Sequence, residues 1–336
     1  MENLVRHRYW WFAISLLVIV PGLYFLLLNP LITTGSFAIG LRPSIDFSGG
    51  SMWDLRFPGK TAADVTTGAI ADIFAKNGFE GAQVQLSSVD VNGTAIVEVL
   101  VRTKVALSST DPNSQTTAVI NALKATFGDV TREQLESVGP TVSQESTRSA
   151  IIAVFGASLA ILLYLTWAFR LAPHPVRYGV CALIAMLHDV LLVLGVAAIL
   201  GTFFGLEVDA LFLTALLTIL SFSVHDTIVV FDRIRENLIN RRSGELFDDI
   251  VNHSVVQTLP RSINTQITTL FTLTALLLFG GQSIRNFIAI LLIGLISGTY
   301  SSIFNAAQLL VVWEHREWRN WFRRGNPDGD QPAIPA

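Results

Sequence analysis

The sequence predicts a membrane all-α bundle of six transmembrane helices carrying an inserted α+β domain, and three observations predict it. Of the 336 residues only 15% are charged and 51% are apolar, with a mean hydropathy of +0.51. A soluble domain carries roughly 25% charged residues. Six apolar runs occur, each near or above the roughly 20 residues that a helix needs to cross a bilayer. One polar, mixed-charge stretch, Asn29 to Thr147, separates the first run from the others, holds all four lysines (Lys60, Lys76, Lys104 and Lys124) and must fold in water.

The first run, Tyr9 to Leu28, is preceded by Arg6, His7 and Arg8 and opened by Trp10 and Trp11, the basic flank and interfacial aromatics of a span. A cleaved signal peptide is the competing reading. Against it, the run is long and no small-x-small site follows. In the polar stretch the pattern predicts a strand at Ser51 to Phe57, a helix at Thr61 to Asn77 and strands at Ala82 to Val89 and Thr94 to Arg102. A helix at Asn113 to Phe127 and a strand at Val130 to Val138 follow. That β-α-β-β-α-β order is the ferredoxin-like arrangement. Five further spans are expected at Ala150 to Phe169, Tyr178 to Leu200, Ala210 to Phe231, Ser262 to Phe279 and Phe287 to Trp313.

Arginine sets the expected orientation. The short segments after the second, fourth and sixth spans hold Arg170 and Arg177; Arg233, Arg235, Arg241 and Arg242; and Arg316, Arg319, Arg323 and Arg324, while those after the third and fifth hold only Arg285. Basic residues in short loops mark the cytoplasmic side, so both termini of this multi-pass protein are expected inside, with the inserted domain outside. The expected divisions are 1–29, N-terminus and first span; 30–148, extracytoplasmic domain; 149–313, five-helix transmembrane region; and 314–336, cytoplasmic tail. From Gly325 the tail is rich in Pro, Gly and Asp and reads as disordered.

A formal charge of −3 argues against a nucleic-acid partner, which would need a basic face. The lone Cys181 permits no internal disulfide and no cysteine-built metal site. There is no nucleotide-binding loop and no HExxH, and His253 and His315 show no ligand spacing, so neither an enzyme nor a cofactor is expected. His188 and His225 become ligands only if their two spans touch.

An acid inside a span costs a few kcal/mol, roughly 3 on insertion scales, and therefore needs a reason. Asp226 lies in the fourth span and Asp189 in the third, each preceded by a histidine, His225 and His188. Asp226 reads either as a helix-end acid pairing with the Asp232 to Arg235 cluster or as an inward carboxylate that exchanges protons. Burial disfavours its charged form and a nearby cation favours it. Asp189 is either part of the same relay or a structural hydrogen-bonding group. Arg261, at the entrance to the fifth span, is the candidate cation, unless it is a snorkelling interface anchor. It opens a polar stripe with Ser262, Asn264, Thr265, Thr268 and Thr269, and helical spacing puts Arg261, Thr265 and Thr268 on one face. Gly294 and Gly298 read as a close helix contact.

These residues carry a resemblance. The segment His225-Asp-Thr-Ile-Val-Val-Phe-Asp-Arg-Ile-Arg-Glu-Asn237 resembles the fourth-span signature of the SecF family of protein translocase subunits, in the resistance-nodulation-division superfamily. Arg261-Ser-Ile-Asn-Thr265, Ile45-Asp-Phe-Ser-Gly-Gly50, Leu277-Leu-Phe-Gly-Gly281 and Gly298-Thr-Tyr-Ser-Ser302 are similar to further family motifs, in the expected order. Departures are Ser44 for a common glycine, Ser48 for threonine, and Ser221-Phe222 for Gly-Tyr. The resemblance implies a half-transporter that pairs with SecD and assists the SecYEG channel and the SecA ATPase. Such a half would use the proton gradient to promote movement of an unfolded polypeptide across the membrane. It also implies Asp226 and Arg261 as proton-relay residues, and Asp46, Phe47, Gly49 and Gly50 as the motif beside the outer domain; the polar stripe adds Thr265 and Asn264 to the relay candidates, and the charge within the third span adds Asp189. Two alternatives stay open: a half-transporter exporting lipids or small molecules, and a passive translocase scaffold.

Overall fold

The structure, a computed structural model, describes residues 4–35, 39–61, 64–91, 94–107, 112–170, 172, 174–281 and 284–317. The expected disordered tail from Gly325, and Arg319, Arg323 and Arg324, lie outside the described residues. In chain order the elements are α1 (Val5–Thr33), β1 (Gly50–Pro58), α2 (Thr67–Lys76), β2 (Gln83–Val91), β3 (Thr94–Thr103), α3 (Pro112–Phe127) and β4 (Thr131–Val138). They continue with α4 (Pro140–Ala168), α5 (Pro175–Phe204), α6 (Ala210–Ile239), α7 (Phe247–Phe279) and α8 (Arg285–Glu314). Among the described residues six helices, α1 and α4 to α8, are long and apolar enough to cross a membrane.

The helices outrun the apolar runs that predict them. α4 opens at Pro140 rather than Ala150, α6 continues past Phe231 to Ile239, and α7 opens at Phe247 rather than Ser262, passing through Pro260. An apolar run measures only the stretch suited to lipid, whereas backbone hydrogen bonding carries the helix on into polar sequence. In the polar stretch one helix is shorter than expected. α2 starts at Thr67 because the extended Thr66 caps it, its Oγ1 accepting from the Ala69 N–H at 3.4 Å; Ala62 and Ala63 lie outside the described residues.

The described residues form two compact units, divided between Leu41 and Arg42, Val154 and Phe155, Leu206 and Glu207, and Leu213 and Thr214. The first holds a four-stranded sheet in the order β2-β3-β1-β4, every neighbouring pair antiparallel. Strand alternation puts Trp53, Leu55 and Phe57 on one face, paired in register with Val101, Val99 and Val97, and all six are buried. Ile70 and Phe74 of α2 and Val119 and Leu123 of α3 complete this core, with Trp53 meeting Phe74 edge-on at 5.3 Å. Each such side chain contributes about 1.5–3 kcal/mol by burial. The other face keeps charge, with Arg56 bridging Glu98 at 2.9 Å and Glu133 at 3.2 Å.

The second unit is helical. α1 packs on α5 where Gly22 meets Gly195: a Cβ built on Gly22 would stand 2.8 Å from the Gly195 Cα. Helices in lipid gain nothing from excluding water, so small residues that let backbones approach are what hold them. Gly294 of α8 serves the same end against Ile219 of α6, whose Cδ1 would lie 2.2 Å from an added Cβ.

Candidate functional site

Five helices of the second unit present polar side chains inward. On α7, Ser254, Thr258, Ser262 and Gln266 recur at four-residue intervals and are buried, which makes them one helical stripe. Gln266 Nε2 donates to Asp226 Oδ2 at 2.7 Å, and Asp226 is only 4% exposed. The Gln266 Oε1 and the Ser262 hydroxyl are buried with no hydrogen-bond partner among the described residues. Arg261, Asn264, Thr265 and Thr268 lie on the other side of α7 and are exposed. Arg261 makes no ion pair among the described residues. The hydroxyls of Thr265 and Thr268 donate to their own helix, at the carbonyls of Arg261 (3.0 Å) and Asn264 (2.8 Å). The structure therefore joins Asp226 to an uncharged amide and does not bring Arg261 to it.

Asp189 on α5 is fully buried. Its Oδ2 accepts from Ser223 and Ser301, both at 2.6 Å, and its Oδ1 accepts from Ser297 at 2.7 Å. His188 Nδ1 stands 3.1 Å from the same Oδ1. Three helices, α5, α6 and α8, thus meet on one carboxylate. Ser223 lies one turn before Asp226 on α6, and Gly298 of α8 faces it closely, an added Cβ falling 3.3 Å from the Ser223 Cβ. Below this, Ser15 of α1 donates to Asn305 Oδ1 at 3.0 Å, beside a π-helical turn in α8 at Ser302–Ala306.

Sequence reasoning selected both acids but not their partners. Gln266 was legible as the position four after Ser262, on a stripe adjacent to the one built on Arg261. The serines around Asp189 come from three separate segments, and nothing local in the sequence brings them together.

The Asp46 motif belongs to the sheet unit. Asp46 Oδ2 accepts from the Ala210 N–H at 3.0 Å, where α6 begins, and the Phe47 carbonyl accepts from Thr147 Oγ1 at 3.3 Å. Gly50 cannot be replaced without strain: its φ is 119° and an added Cβ would fall 2.0 Å from the Thr103 carbonyl oxygen. Gly49, at φ 73°, also has left-handed backbone. Asp46, Phe47, Val138, Val142 and Leu213 line part of a cavity of about 370 Å³. Nearby, Arg102 pairs with Glu207, and burial pushes the Glu207 carboxyl up and the Arg102 guanidinium down, each against the other's charge.

The model of the family described as protein export membrane protein SecD/SecF, C-terminal, matches residues 118–316. The protein translocase subunit SecF of Thermobaculum terrenum is 48% identical over 98% of this chain and 99% of its own. The chain belongs to the SecF family. Its similarity extends to the protein translocase subunit SecF of Anaerolinea thermophila, 45% identical over 97% of this chain and 98% of that protein. Among solved structures, SecDF of Thermus thermophilus, a translocon-associated membrane protein, matches with a TM-score of 0.72 and 31% identity over 93% of this chain. This chain spans 38% of that SecDF chain. Membership of the family makes it a multi-pass membrane protein of the protein-export apparatus, and the described residues supply six helices apolar enough to span and a small antiparallel sheet.

Proposed function

We propose that this chain, an accessory subunit of the Sec translocase, joins a SecD half and uses the proton gradient to promote polypeptide movement, with Asp226 as the group that takes up and releases the proton. The observation that carries this reading is a carboxyl buried in a membrane helix and held by the Gln266 amide alone among the described residues. An acid kept there without a cation is expensive unless its protonation can change. Arg261, with Thr265 and Asn264, lies on the exposed face of the same α7, where a partner subunit can reach it, so the relay is completed across an interface with SecD. Asp189 stands one helix away, tied to α6 through Ser223.

A proton crossing about 150 mV releases about 3.5 kcal/mol, at about 2.3 kcal/mol per charge per 100 mV. Inverting a two-state equilibrium from 1:99 to 99:1 takes about 5.5 kcal/mol. One proton therefore biases a domain swing and two reverse it. The sheet unit, whose strand order β2-β3-β1-β4 and β-α-β-β-α-β connectivity fit the ferredoxin-like arrangement, is read as the extracytoplasmic moving part, with both termini cytoplasmic. SecYEG with SecA and the translocating unfolded chain complete the set of partners. The test is proton current and preprotein export in vesicles carrying the SecD complex. Asp226→Asn and Arg261→Ala are expected to lose both, and unchanged currents with normal export reject the relay.

A further inference from the structure

We propose that His188 is a second proton-binding residue, separate from Asp226, taking its proton on Nε2 while Asp189 balances the charge. The argument starts from the carboxylate. An ionised carboxylate offers about four lone-pair sites and donates nothing. Around Asp189 those sites are taken: Ser297 and His188 at Oδ1, Ser223 and Ser301 at Oδ2. Ser301 also lies 3.2 Å from the Gly298 carbonyl, but its 2.6 Å contact with Asp189 is the shorter. A proton placed on Asp189 must displace one of these donors.

Since the carboxylate only accepts, His188 Nδ1 is the donor of the pair, which leaves Nε2 as the ring's lone-pair nitrogen. Nε2 is buried and has no hydrogen-bond partner among the described residues. It is thus the open basic atom of the cluster. A proton from bulk water added there converts the imidazole to imidazolium, leaves the Nδ1–H bond to Asp189 intact, and takes the dyad from a net charge of −1 to zero. Among the described residues the structure sets Asp189 of its own helix and Tyr300 of α8, stacked at 6.3 Å, against the ring, with Ser223 of α6 beyond the carboxylate. The Tyr300 hydroxyl is committed to the Trp11 carbonyl of α1 at 2.6 Å, with Ser15 adjacent. None of these is a cation, and the pair is built without Asp226.

The test is nitrogen NMR of the ¹⁵N-histidine-labelled full chain in lipid nanodiscs, read across pH 5 to 9. His188 is assigned as the resonance lost in His188→Gln. Should that variant not fold, it is assigned in a chain whose other histidines are all replaced by Gln. The expected result is an Nε2 signal that moves from the bare-nitrogen to the protonated position as pH falls, with Nδ1 protonated throughout, and that persists in Asp226→Asn. A ring held neutral over the whole range overturns the proposal, whatever becomes of the Asp226 relay. So does a titration that vanishes in folded Asp226→Asn.

Discussion

The sheet unit and the helical unit are built by opposite rules. The sheet unit buries Trp53, Leu55, Phe57, Phe74 and Leu123 against one another and keeps its charges on the far face. The helical unit buries Asp189, Asp226, Ser254, Gln266, Asn305 and Gln308 alongside its apolar residues. Water drives the first arrangement, because apolar area leaves solvent. Lipid cannot drive the second in the same way, so hydrogen bonds between helices and close backbone contacts specify it. A polar group without a partner in the sheet core would be a liability, and Ser51 and Thr103, buried there, both find one; inside the bundle a polar group is a fastener.

The largest test of that contrast is in the sheet unit. Phe57→Ala removes a fully buried ring and should cost about 3–5 kcal/mol. Urea unfolding followed by Trp53 burial should show it, while the heat stability of the helices in detergent stays as it was. The next is Asp189→Ala, which strands three serine hydroxyls. Membrane hydrogen bonds average about 0.6 and reach about 1.7 kcal/mol each, so a loss of about 2–3 kcal/mol is expected for the bundle. Removing all three serines together with Asp189 should recover part of that loss; no recovery would mean that the carboxylate does not hold the helices.

Gly22→Ala probes the close approach of α1 and α5, and overpacking there should cost about 1–2 kcal/mol, measured by thermal shift in lipid. The smallest effect concerns an ionic clasp at the helix ends, where Asp248 meets both His315 and Arg8, and Glu317 meets Arg8. Hydrogen bonding to Asp248 holds the His315 imidazole above its ordinary 6.5, against the opposing effect of burial. A raised folded value means the stabilisation is complete below 6.5 and fades as pH rises through the folded value. His315→Gln should flatten that slope in a pH series of melting temperatures. Because the pair is partly exposed, the change should be slight.

How far this was legible in the sequence follows from the same contrast. Period-two alternation over Ser51 to Phe57 and 20-residue apolar runs are local signals, and strand and span existence could be read from them. The helix ends at Phe127 and Phe279 and the start at Ala210 could be read as well, but the start of α7 could not, since that helix runs through Pro260 into sequence with no apolar bias. Asp226 and Asp189 stood out because charge is rare in spans. Their partners did not, because Ser223, Ser297 and Ser301 are ordinary residues until tertiary packing gathers them. At α7 the conspicuous residue, Arg261, drew attention to one side of the helix, and the inward side carried the quieter Ser262 and Gln266.

A primary amide beside Asp226 has a consequence of its own. Its nitrogen end gives a hydrogen to the anionic form, and a half-turn about the last side-chain bond would offer its oxygen, which has no hydrogen-bond partner among the described residues, to the hydroxyl of the acid form. In the proposed relay the carboxyl would then change charge without an ion pair being torn open. Glutamate at position 266 would offer the acid form an acceptor and repel the anion, and leucine would leave the anion without a donor, so either would favour the uncharged carboxyl.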